Sequence, residues 1–328
     1  MSKEFEFSTT NPEISKEFDL NLVEKLKENP VELIEEKSKI TPEELKKRFP
    51  NKKILACDFC VVGIEKGKEN EGGFENFDIL NIDHHTPAKR MEKMISSTNL
   101  ATEYVKKHGP ISKDYVTAIN HTDTDSILSS AIMRGILEPK EEFSMAAIAS
   151  DHTGEKNEIG DLLQALQAER NMEFSLRNLQ LLLENKPLEQ KAQELLERRL
   201  KDRDRAKEII ESGKFKKEGK VSYAILEEKI DGGLLPALLP DAKVILLASP
   251  LKANPSKWEI KLRLGKNIPE GFILDKKLLS QKLDSNYGGR WNAGSNKRSI
   301  DGIETRGGTD MTPEKYAKKL DELIIGAV

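Results

Sequence analysis

Histidines and aspartates that could bind a metal ion are concentrated in one part of this sequence. Four of its five histidines, His84, His85, His121 and His152, lie beside or close to an aspartate, all within the stretch from residue 84 to residue 152. The groups are Asp58, Asp83-His84-His85, His121-Thr122-Asp123-Thr124-Asp125 and Asp151-His152. Nitrogen and carboxylate oxygen ligands suit Mn, Fe, Co and Zn. The donors suffice for two divalent ions, and such a pair, about 3.5–4 Å apart, can drive phosphoryl displacement with metal-bound hydroxide as the nucleophile.

Charge within these groups favours a bound cation. In an extended segment, residues 121, 123 and 125 project to one face, where the two acids repel each other unless a cation lies between them. A helix predicted to start just after this segment would place its N-terminus there, which favours anions. Asp58 lies in an otherwise apolar run, and a buried carboxylate is costly unless it is paired or binds a metal.

Each group also has a purely structural interpretation. Asp58 could end a strand and cap the loop after it, and Asp83-His84-His85 could be a polar turn. Asp125 could cap the helix that follows it. Asp151-His152 could be an ordinary helix end. These alternatives stay open at the level of single groups, and it is their combination that favours a metal centre.

Short apolar runs precede the polar groups and indicate how they are positioned. KILACDFCVVGI (53–64), FDILNIDHH (77–85) and DYVTAINHTDTD (114–125) are predicted as buried strands that end in charge. They alternate with the predicted helices ATEYVKKHG, SILSSAIMRGIL and EEFSMAAIASDHTG. This alternation predicts an α/β fold with a mostly parallel sheet flanked by helices. In such sheets ligands collect at the carboxyl ends of the strands, where the polar groups fall.

The pattern changes along the chain and predicts four regions. Residues 1–50 are predicted as an N-terminal helical segment, with Thr41 and Pro42 at a helix start. Residues 51–155 form the metal-binding domain, and residues 156–218, which contain no strand pattern, form a helical linker. A coiled-coil dimer element in this linker is less favoured because its heptads are short. Residues 219–328 are predicted as a second, smaller α/β domain.

Composition excludes several classes of protein. The 328 residues carry 53 basic and 56 acidic side chains, and the mean hydropathy is −0.57. No stretch approaches the roughly 20 apolar residues of a membrane-spanning helix, and a near-neutral charge argues against a nucleic-acid coating protein. Cys57 and Cys60 rule out a disulfide framework and are interpreted as small buried hydrophobic residues. Without a secretory signal at the N-terminus, we expect a cytoplasmic protein.

Four of these motifs resemble those of the DHH phosphoesterase superfamily. Asp58 after an apolar strand, NIDHH (81–85), HTDTDS (121–126) and ASD (149–151) look like its motifs. The family includes single-strand exonucleases, oligoribonucleases, cyclic-dinucleotide phosphodiesterases, exopolyphosphatases and class II pyrophosphatases. In the family the motif similar to HTDTDS normally opens the chain, whereas here it follows DHH. We therefore expect a permuted order in which the same ligands meet in space.

The resemblance implies a role for each residue of the first domain. His121 and Asp123 would hold one metal, and Asp125, His84 and Asp151 would hold the other. Asp58 would bridge the two ions. His85 would contact the leaving phosphate or act as general acid, and Asp83 would orient a histidine. The expected cofactors are two divalent ions, manganese first, with Co, Fe, Mg or Zn as alternatives.

The glycine-rich basic segment YGGRWNAGSNKR (287–298) resembles the substrate loop of the DHH-associated C-terminal domain. Cations, close-approach glycines and hydrogen-bonding side chains in it would grip phosphate. The residues expected to bind substrate are Gly289, Arg290, Asn292, Gly294, Ser295, Lys297 and Arg298. Trp291 would stack on a base.

The expected function is two-metal hydrolysis of a short oligonucleotide, a dinucleotide or a related small phosphoester. An inorganic pyrophosphatase or exopolyphosphatase is the alternative among enzymes. A metal- or nucleotide-binding regulator without catalysis is the alternative outside them. The expected partner is a small phosphorylated substrate, which includes short single-stranded RNA or DNA, with no membrane; the sequence leaves a homo-oligomer open.

Overall fold

Two six-stranded sheets organise the chain. The computed structural model describes residues 21–37, 39–85, 94–228, 230–252, 254–269, 271–300 and 303–325. The strands are β1 Val31–Leu33, β2 Lys53–Cys57, β3 Lys68–Glu69, β4 Phe74–Asn76, β5 Ile79–Ile82, β6 Tyr115–Ile119, β7 Lys216–Glu218, β8 Val221–Ile225, β9 Val244–Pro250, β10 Trp258–Leu264, β11 Gly288–Gly289, β12 Ala293–Ser295, β13 Lys297–Ile300 and β14 Ile303–Gly307. The helices are α1 Leu22–Glu28, α2 Pro42–Arg48, α3 Ser97–His108, α4 Thr124–Met133, α5 Glu141–Ile148, α6 Glu158–Leu166, α7 Met172–Leu183, α8 Gln190–Glu211, α9 Leu235–Leu238, α10 Lys276–Lys282 and α11 Pro313–Ile325.

The first sheet is parallel where it carries the predicted metal ligands. Its order is β1-β6-β2-β5-β4-β3, with parallel pairing from β1 to β5 and antiparallel pairing of β4 and β3 at one edge. Residues Ile54, Leu55, Ala56 and Cys57 of β2 are all fully buried. Such an unbroken apolar run is typical of a parallel strand covered on both faces. The predicted α/β architecture is confirmed.

Capping residues start the helices around this sheet. Thr41 accepts from the backbone N–H of Glu44 at 3.2 Å, and the Glu44 side chain accepts from Thr41 N–H, with Pro42 at the first helical position. This capping box confirms the predicted start of α2. Asp123 caps α4 by accepting from Ser126 N–H at 3.0 Å. No described helix is long and apolar enough to cross a membrane.

The second sheet is mostly antiparallel. Its order is β11-β12-β10-β9-β8-β7, and only β8 and β9 pair in parallel. Helices α10 and α11 cover one face, where Tyr316 and Leu320 pack against Leu246 and Leu262. Below, the first sheet with α1–α7 is called the first lobe, and the second sheet with α9–α11 the second lobe.

Helix α8 joins the two lobes. Near its start, Ala192 packs with Leu162 and Phe174 of the first lobe. Near its end, Ala206 packs with Leu235 and Ile245 of the second lobe. The predicted helical segment between the sheets is thus present as α6, α7 and α8, while the four domain boundaries stay predictions.

Two local predictions need correction. The segment 1–50 was predicted as helical, but β1 within it pairs in parallel with β6; residues 1–20 lie outside the described chain. A strand of three residues has too little periodicity to be visible, and pairing with β6 creates it. The glycine-rich segment was predicted as a loop, but Gly288–Gly289 and Ala293–Ser295 form a short antiparallel pair. Glycines at 289 and 294 allow this close approach, because a Cβ at Gly289 would lie 2.3 Å from Gly294 Cα.

Candidate metal centre

The predicted ligands meet at the carboxyl ends of three adjacent strands. Asp58 directly follows β2, Asp83 directly follows β5, and His121 follows β6 after one residue. Because β6 and β5 flank β2, the later chain position of HTDTDS does not separate it from Asp58. Asp151 and His152 join them from a π-helical turn, Ala149–Thr153, that continues α5. Single π-turns of this kind are frequent at functional sites.

Asp58 occupies the centre of the group. Its side chain is 1% exposed, and Ser97 Oγ and Ser126 Oγ donate to its two carboxylate oxygens at 2.8 Å each. Its backbone φ of +59° is uncommon for a residue with a Cβ. Such backbone strain is concentrated at functional sites. The turn at Asp58 ends β2 and brings the carboxylate between the groups that follow β5 and β6.

His121 directs one ring nitrogen at two carboxylates. Nε2 lies 3.2 Å from Asp58 Oδ2 and 3.2 Å from Asp123 Oδ2. Its Nδ1 contacts the side-chain oxygen of Asn120. Carboxylate oxygens of Asp58 and Asp123 therefore lie close to Nε2 of His121, while Nδ1 of the same ring is held by Asn120.

His84 and His85 face each other on the opposite side of Asp58. His84 Nδ1 donates to the carbonyl of Ile95 at 2.7 Å, and His85 Nδ1 donates to Asp83 Oδ1 at 2.6 Å. Both Nδ1 atoms carry protons, so in neutral rings both Nε2 atoms present lone pairs, and these atoms are 3.1 Å apart. His84 Nε2 is also 3.5 Å from Asp151 Oδ2 and 3.8 Å from Asp58 Oδ1. Lone pairs and carboxylates converging in this way need a cation between them.

Within the described part of the chain, three groups of possible metal ligands have their donor atoms within 4.8 Å of one another. They are Asp58–His84–His85, His84–Asp151–His152 and Asp58–His121–Asp123. Asp58 belongs to two of them, and so does His84. The mixed nitrogen and oxygen donors fit divalent transition metals such as Mn, Fe, Co or Zn. In addition, each histidine donates its other N–H to an oxygen atom, as metal-ligating histidines do.

Asp125 lies at the edge of the group with its oxygens already engaged. Ser97 N–H donates to Oδ2 at 2.7 Å, and Thr98 donates to Oδ1 through its N–H at 2.7 Å and its hydroxyl at 2.6 Å. Asp125 therefore closes the N-terminus of α3 from the first turn of α4. Its Oδ2 remains 3.9 Å from His84 Nε2. The predicted role of Asp125 as a ligand stays a prediction.

Burial and mutual repulsion perturb the carboxylates. Burial, together with the charges of Asp125 and Asp123, raises the pKa of Asp58 and the pKa of Asp151 well above the usual range. Burial likewise raises the pKa of Asp123, but the facing His121 outweighs it and lowers the net value. A concentration of buried charge that repels itself in this way is relieved by a divalent cation.

The histidines are perturbed in two directions. Burial lowers the pKa of His84 to about 4 and that of His152 to about 3. Burial also opposes protonation of His121, but the carboxylates of Asp123 and Asp58 outweigh it and raise its pKa to about 11. A neutral His84 is a competent ligand at neutral pH, and His121 lies where positive charge is most favoured.

The second lobe contacts the histidines of the centre. Arg290 contacts His85 Nε2, and Asn292 Nδ2 donates to His152 Nδ1 at 3.2 Å. The Trp291 ring is tilted towards His152, with centroids 5.7 Å apart. Two predicted substrate residues, Arg290 and Asn292, thus contact the predicted catalytic residue His85 and the neighbouring His152.

A cavity of about 430 Å³ opens beside these contacts. Of the predicted substrate-binding residues, Gly289, Arg290, Gly294 and Ser295 line it. Lys297 is not among its lining residues and lies 3.8 Å from Glu259 instead. The side chain of Arg298 lies outside what the structure describes.

Two further residues of the site, Arg263 and His152, have no role in the predictions made from the sequence. Arg263 lines the cavity and donates to the carbonyl oxygen of Asp151 at 2.5 Å, and its Nε is buried with no hydrogen-bond partner among the described residues. The alternation in β10 places it opposite the buried Leu262 and Leu264, but alternation cannot show that another lobe covers that face. His152 donates from Nε2 to Ile95 O at 3.0 Å. The one feature of the sequence that indicated a role for His152 is its position beside Asp151.

No protein-family model matches the chain, and no curated protein matches it. Solved structures similar to it include the pGpG-specific phosphodiesterase PggH from Vibrio cholerae, at 12% identity and a TM-score of 0.36, covering 69% of this chain and 87% of that one. Exonuclease RecJ bound to manganese has 13% identity and a TM-score of 0.34, with 88% and 78% covered. An uncharacterised protein from Helicobacter pylori G27 has 14% identity and a TM-score of 0.22, with 75% and 83% covered.

Likeness at these TM-scores carries no weight for function. The chemistry must therefore come from the side chains of this site.

Proposed function

We propose that this protein is a metal-dependent phosphodiesterase that hydrolyses a short oligonucleotide or dinucleotide between its two lobes. One observation carries the proposal. His84 and His121, each with Nδ1 turned to an oxygen acceptor, direct Nε2 into a buried group of carboxylates around Asp58, and His85 Nε2 faces His84 Nε2 beside them. The buried donors are incompatible with one another unless cations lie among them.

The donor groups suggest two metal positions that share Asp58. His121 and Asp123 would hold one ion, and His84 and Asp151 would hold the other. Asp125 would support this arrangement by anchoring α3, whose Ser97 donates to Asp58. Manganese is our first choice of ion, with Co, Fe, Mg or Zn as alternatives.

Divalent ions held there supply Lewis-acid polarisation of a phosphoryl group and a nucleophile near neutral pH. The protein residues would orient the substrate and move the proton. Asp83 holds the Nδ1–H of His85, so His85 Nε2 is the atom that can exchange a proton with the leaving oxygen. A phosphate oxygen bound between His85 and Arg290 would contact both side chains. In this scheme His85 would give a proton from Nε2 to the departing nucleoside oxygen as the bond between that oxygen and phosphorus breaks, and Arg290 would balance the charge of the phosphoryl group.

The second lobe would bind the remainder of the substrate, which makes it the substrate-binding domain of this proposal. Arg263, Arg290 and Lys261 give its cavity positive charge, and paired glycines on two sides allow close backbone approach. A volume of about 430 Å³ lies within the usual range of small-molecule sites, about 300–1,000 Å³. The phosphate of a nucleoside phosphate would pair with the cationic side chains, and its nucleoside would fill the cavity.

Pyrophosphate and short polyphosphate are the competing substrates. They would satisfy the metals and the arginines but leave most of the cavity unfilled. The cavity beside the metals therefore favours a substrate with an organic group. A regulator without catalysis would keep the metal ligands but would have no use for the Asp83–His85 pair.

The test is hydrolysis by metal-stripped protein titrated with Mn²⁺, with a linear dinucleotide and pyrophosphate as parallel substrates. Mn²⁺-dependent cleavage of the dinucleotide that is lost in Asp58→Asn supports the proposal. Asp114→Asn, which changes an exposed aspartate paired with Lys53 at 3.2 Å, is the matched control and should keep activity. Turnover of pyrophosphate alone would replace the proposal with a phosphoanhydride hydrolase. Metal binding without turnover of either substrate would indicate a regulator.

A further inference from the structure

The buried side chain of Asn120 connects the N-terminal part of the chain to the metal centre. Asn120 is 3% exposed and immediately precedes His121. Its Nδ2 donates to the carbonyl oxygen of Lys37 at 2.8 Å, and its Oδ1 contacts His121 Nδ1. The amide therefore lies between the backbone of one segment and the ring of a proposed ligand.

These two contacts together determine the state of the His121 ring. A backbone carbonyl only accepts hydrogen bonds, so the Asn120 amide must direct its NH₂ group at Lys37. Its oxygen then faces His121, and Nδ1 must carry a proton to donate to it. The other ring nitrogen, Nε2, is left to face the carboxylates of Asp58 and Asp123.

The carbonyl of Lys37 is held in place by a clamp between strands. In β1 and β6, Leu33 pairs with Ile119, and the next amide, Ile34 N–H, donates to Ile119 O at 2.8 Å. Arg170 closes the clamp. Its Nη2 donates to Ile34 O at 3.2 Å and to Asn120 O at 3.1 Å.

Glu36 completes the clamp, because Arg170 Nη1 donates to it at 2.8 Å. One guanidinium thus joins the N-terminal segment to the loop that carries His121. Segment 31–37 pairs with β6 but holds none of the proposed catalytic residues. The connection through Arg170 and Asn120 links this segment to the metal centre.

We propose that Asn120 is a positioning residue of the metal centre and that segment 31–37 holds it in position. This inference rests on the proposed function, because it concerns the affinity of the same site for metal. Asn120 does not touch the substrate. It keeps the His121 ring oriented and its Nε2 available, so losing it weakens metal binding more than it weakens the fold.

The experiment measures Mn²⁺ dissociation constants of metal-stripped protein by electron paramagnetic resonance of free Mn²⁺, together with melting temperatures. We expect Asn120→Ala to bind Mn²⁺ about 10–100-fold more weakly, the usual effect of losing the partner of a ligating histidine. Asn178→Ala is the matched control. Asn178 is also a buried asparagine that donates to a backbone carbonyl, Phe174 O at 2.9 Å, but it lies in α7. It should lower the melting temperature and leave the dissociation constant unchanged.

A second pair of variants tests the clamp without altering a buried residue. Arg170→Met should weaken Mn²⁺ binding several-fold, since it releases both Ile34 O and Asn120 O. Arg177→Met is its control, because Arg177 is similarly exposed and its ion pairs in the described part of the chain are with Glu173 and Glu189. If Asn120→Ala does not fold, this pair decides the proposal.

The outcomes separate the two proposals. If Asn120→Ala binds Mn²⁺ as tightly as the wild type, the positioning role is overturned and the metal centre stays intact. If Asn120→Ala does not fold, the same result in Arg170→Met has the same meaning. Absence of Mn²⁺ binding by the wild type overturns the metal centre, and the positioning role falls with it. If Asn120→Ala and the control variants lose the same Mn²⁺ affinity, Asn120 contributes to the fold and has no specific role at the metal centre.

Discussion

Gly154 lies directly against Gly233 where the two lobes meet. A Cβ at Gly154 would be 2.2 Å from the carbonyl oxygen of Gly233, closer than any real contact. Gly154 also has a φ of +68° and ends the π-turn that carries Asp151 and His152. The contact between lobes therefore depends on a glycine that is only two residues from the metal centre.

Replacing Gly154 with alanine should separate the lobes. The added Cβ must displace Gly233, so we expect a large fall in kcat/KM for a dinucleotide and an increase in radius of gyration by X-ray scattering. Gly213→Ala is the control, because Gly213 has a φ of +74° but nothing within 4 Å of a new Cβ. Both variants carry the same kind of backbone strain, about 1–2 kcal/mol for an alanine in the left-handed region. Equal activity in the two would show that contact between lobes is not required.

Arg263 should contribute mainly to substrate binding. It lines the cavity, and its buried Nε has no partner in the described structure, so an anionic substrate is the group that would satisfy it. We expect Arg263→Met to raise KM for a dinucleotide at least 10-fold. Lys261→Met removes a cation from the same cavity, but Lys261 is half exposed and pairs with Glu259 at 3.4 Å. Its effect on KM should be several times smaller, and a larger effect than that of Arg263 would contradict this assignment.

Asp58→Asn should change stability with opposite sign in the presence and absence of metal. In metal-stripped protein Asp58 is a buried carboxylate near other carboxylates, so its neutral replacement should melt at a higher temperature than the wild type. Asparagine also tolerates the positive φ at this position. With Mn²⁺ at 100 times Kd, one ion adds about 2.7 kcal/mol to the wild type. The variant should lose most of that gain in a thermal melt, and an equal gain in both proteins would exclude Asp58 as a ligand.

Asp125 should matter for folding even without metal. Asp125→Ala leaves the N–H groups of Ser97 and Thr98 buried without an acceptor, which costs about 1–3 kcal/mol. Urea denaturation of metal-stripped Asp125→Ala should show this loss, and Asp125→Asn, which keeps one acceptor oxygen, should show less of it. Unchanged stability in Asp125→Ala would indicate that Asp125 acts as a ligand rather than as a cap.

Much of the first sheet was visible in the sequence because its strands are short apolar runs that end in charge. β2, β5 and β6 fall where those runs predicted them, and Asp58, Asp83 and His121 follow them closely. In a parallel sheet, strand ends that share an edge bring their next residues together. The motif residues could thus be gathered into one site before any distance was known.

The sequence alone indicated which residues could supply the chemistry, and the tertiary structure decided which partners each of them has. Asp125 and Asp123 look equivalent in HTDTDS, yet packing of α3 against α4 directs one to backbone N–H groups and leaves the other facing His121. Arg263 lies on the polar face of an alternating strand, and only the approach of the first lobe buries it. The partners of a side chain lie far away along the chain, and local patterns carry no information about which distant surface will cover them.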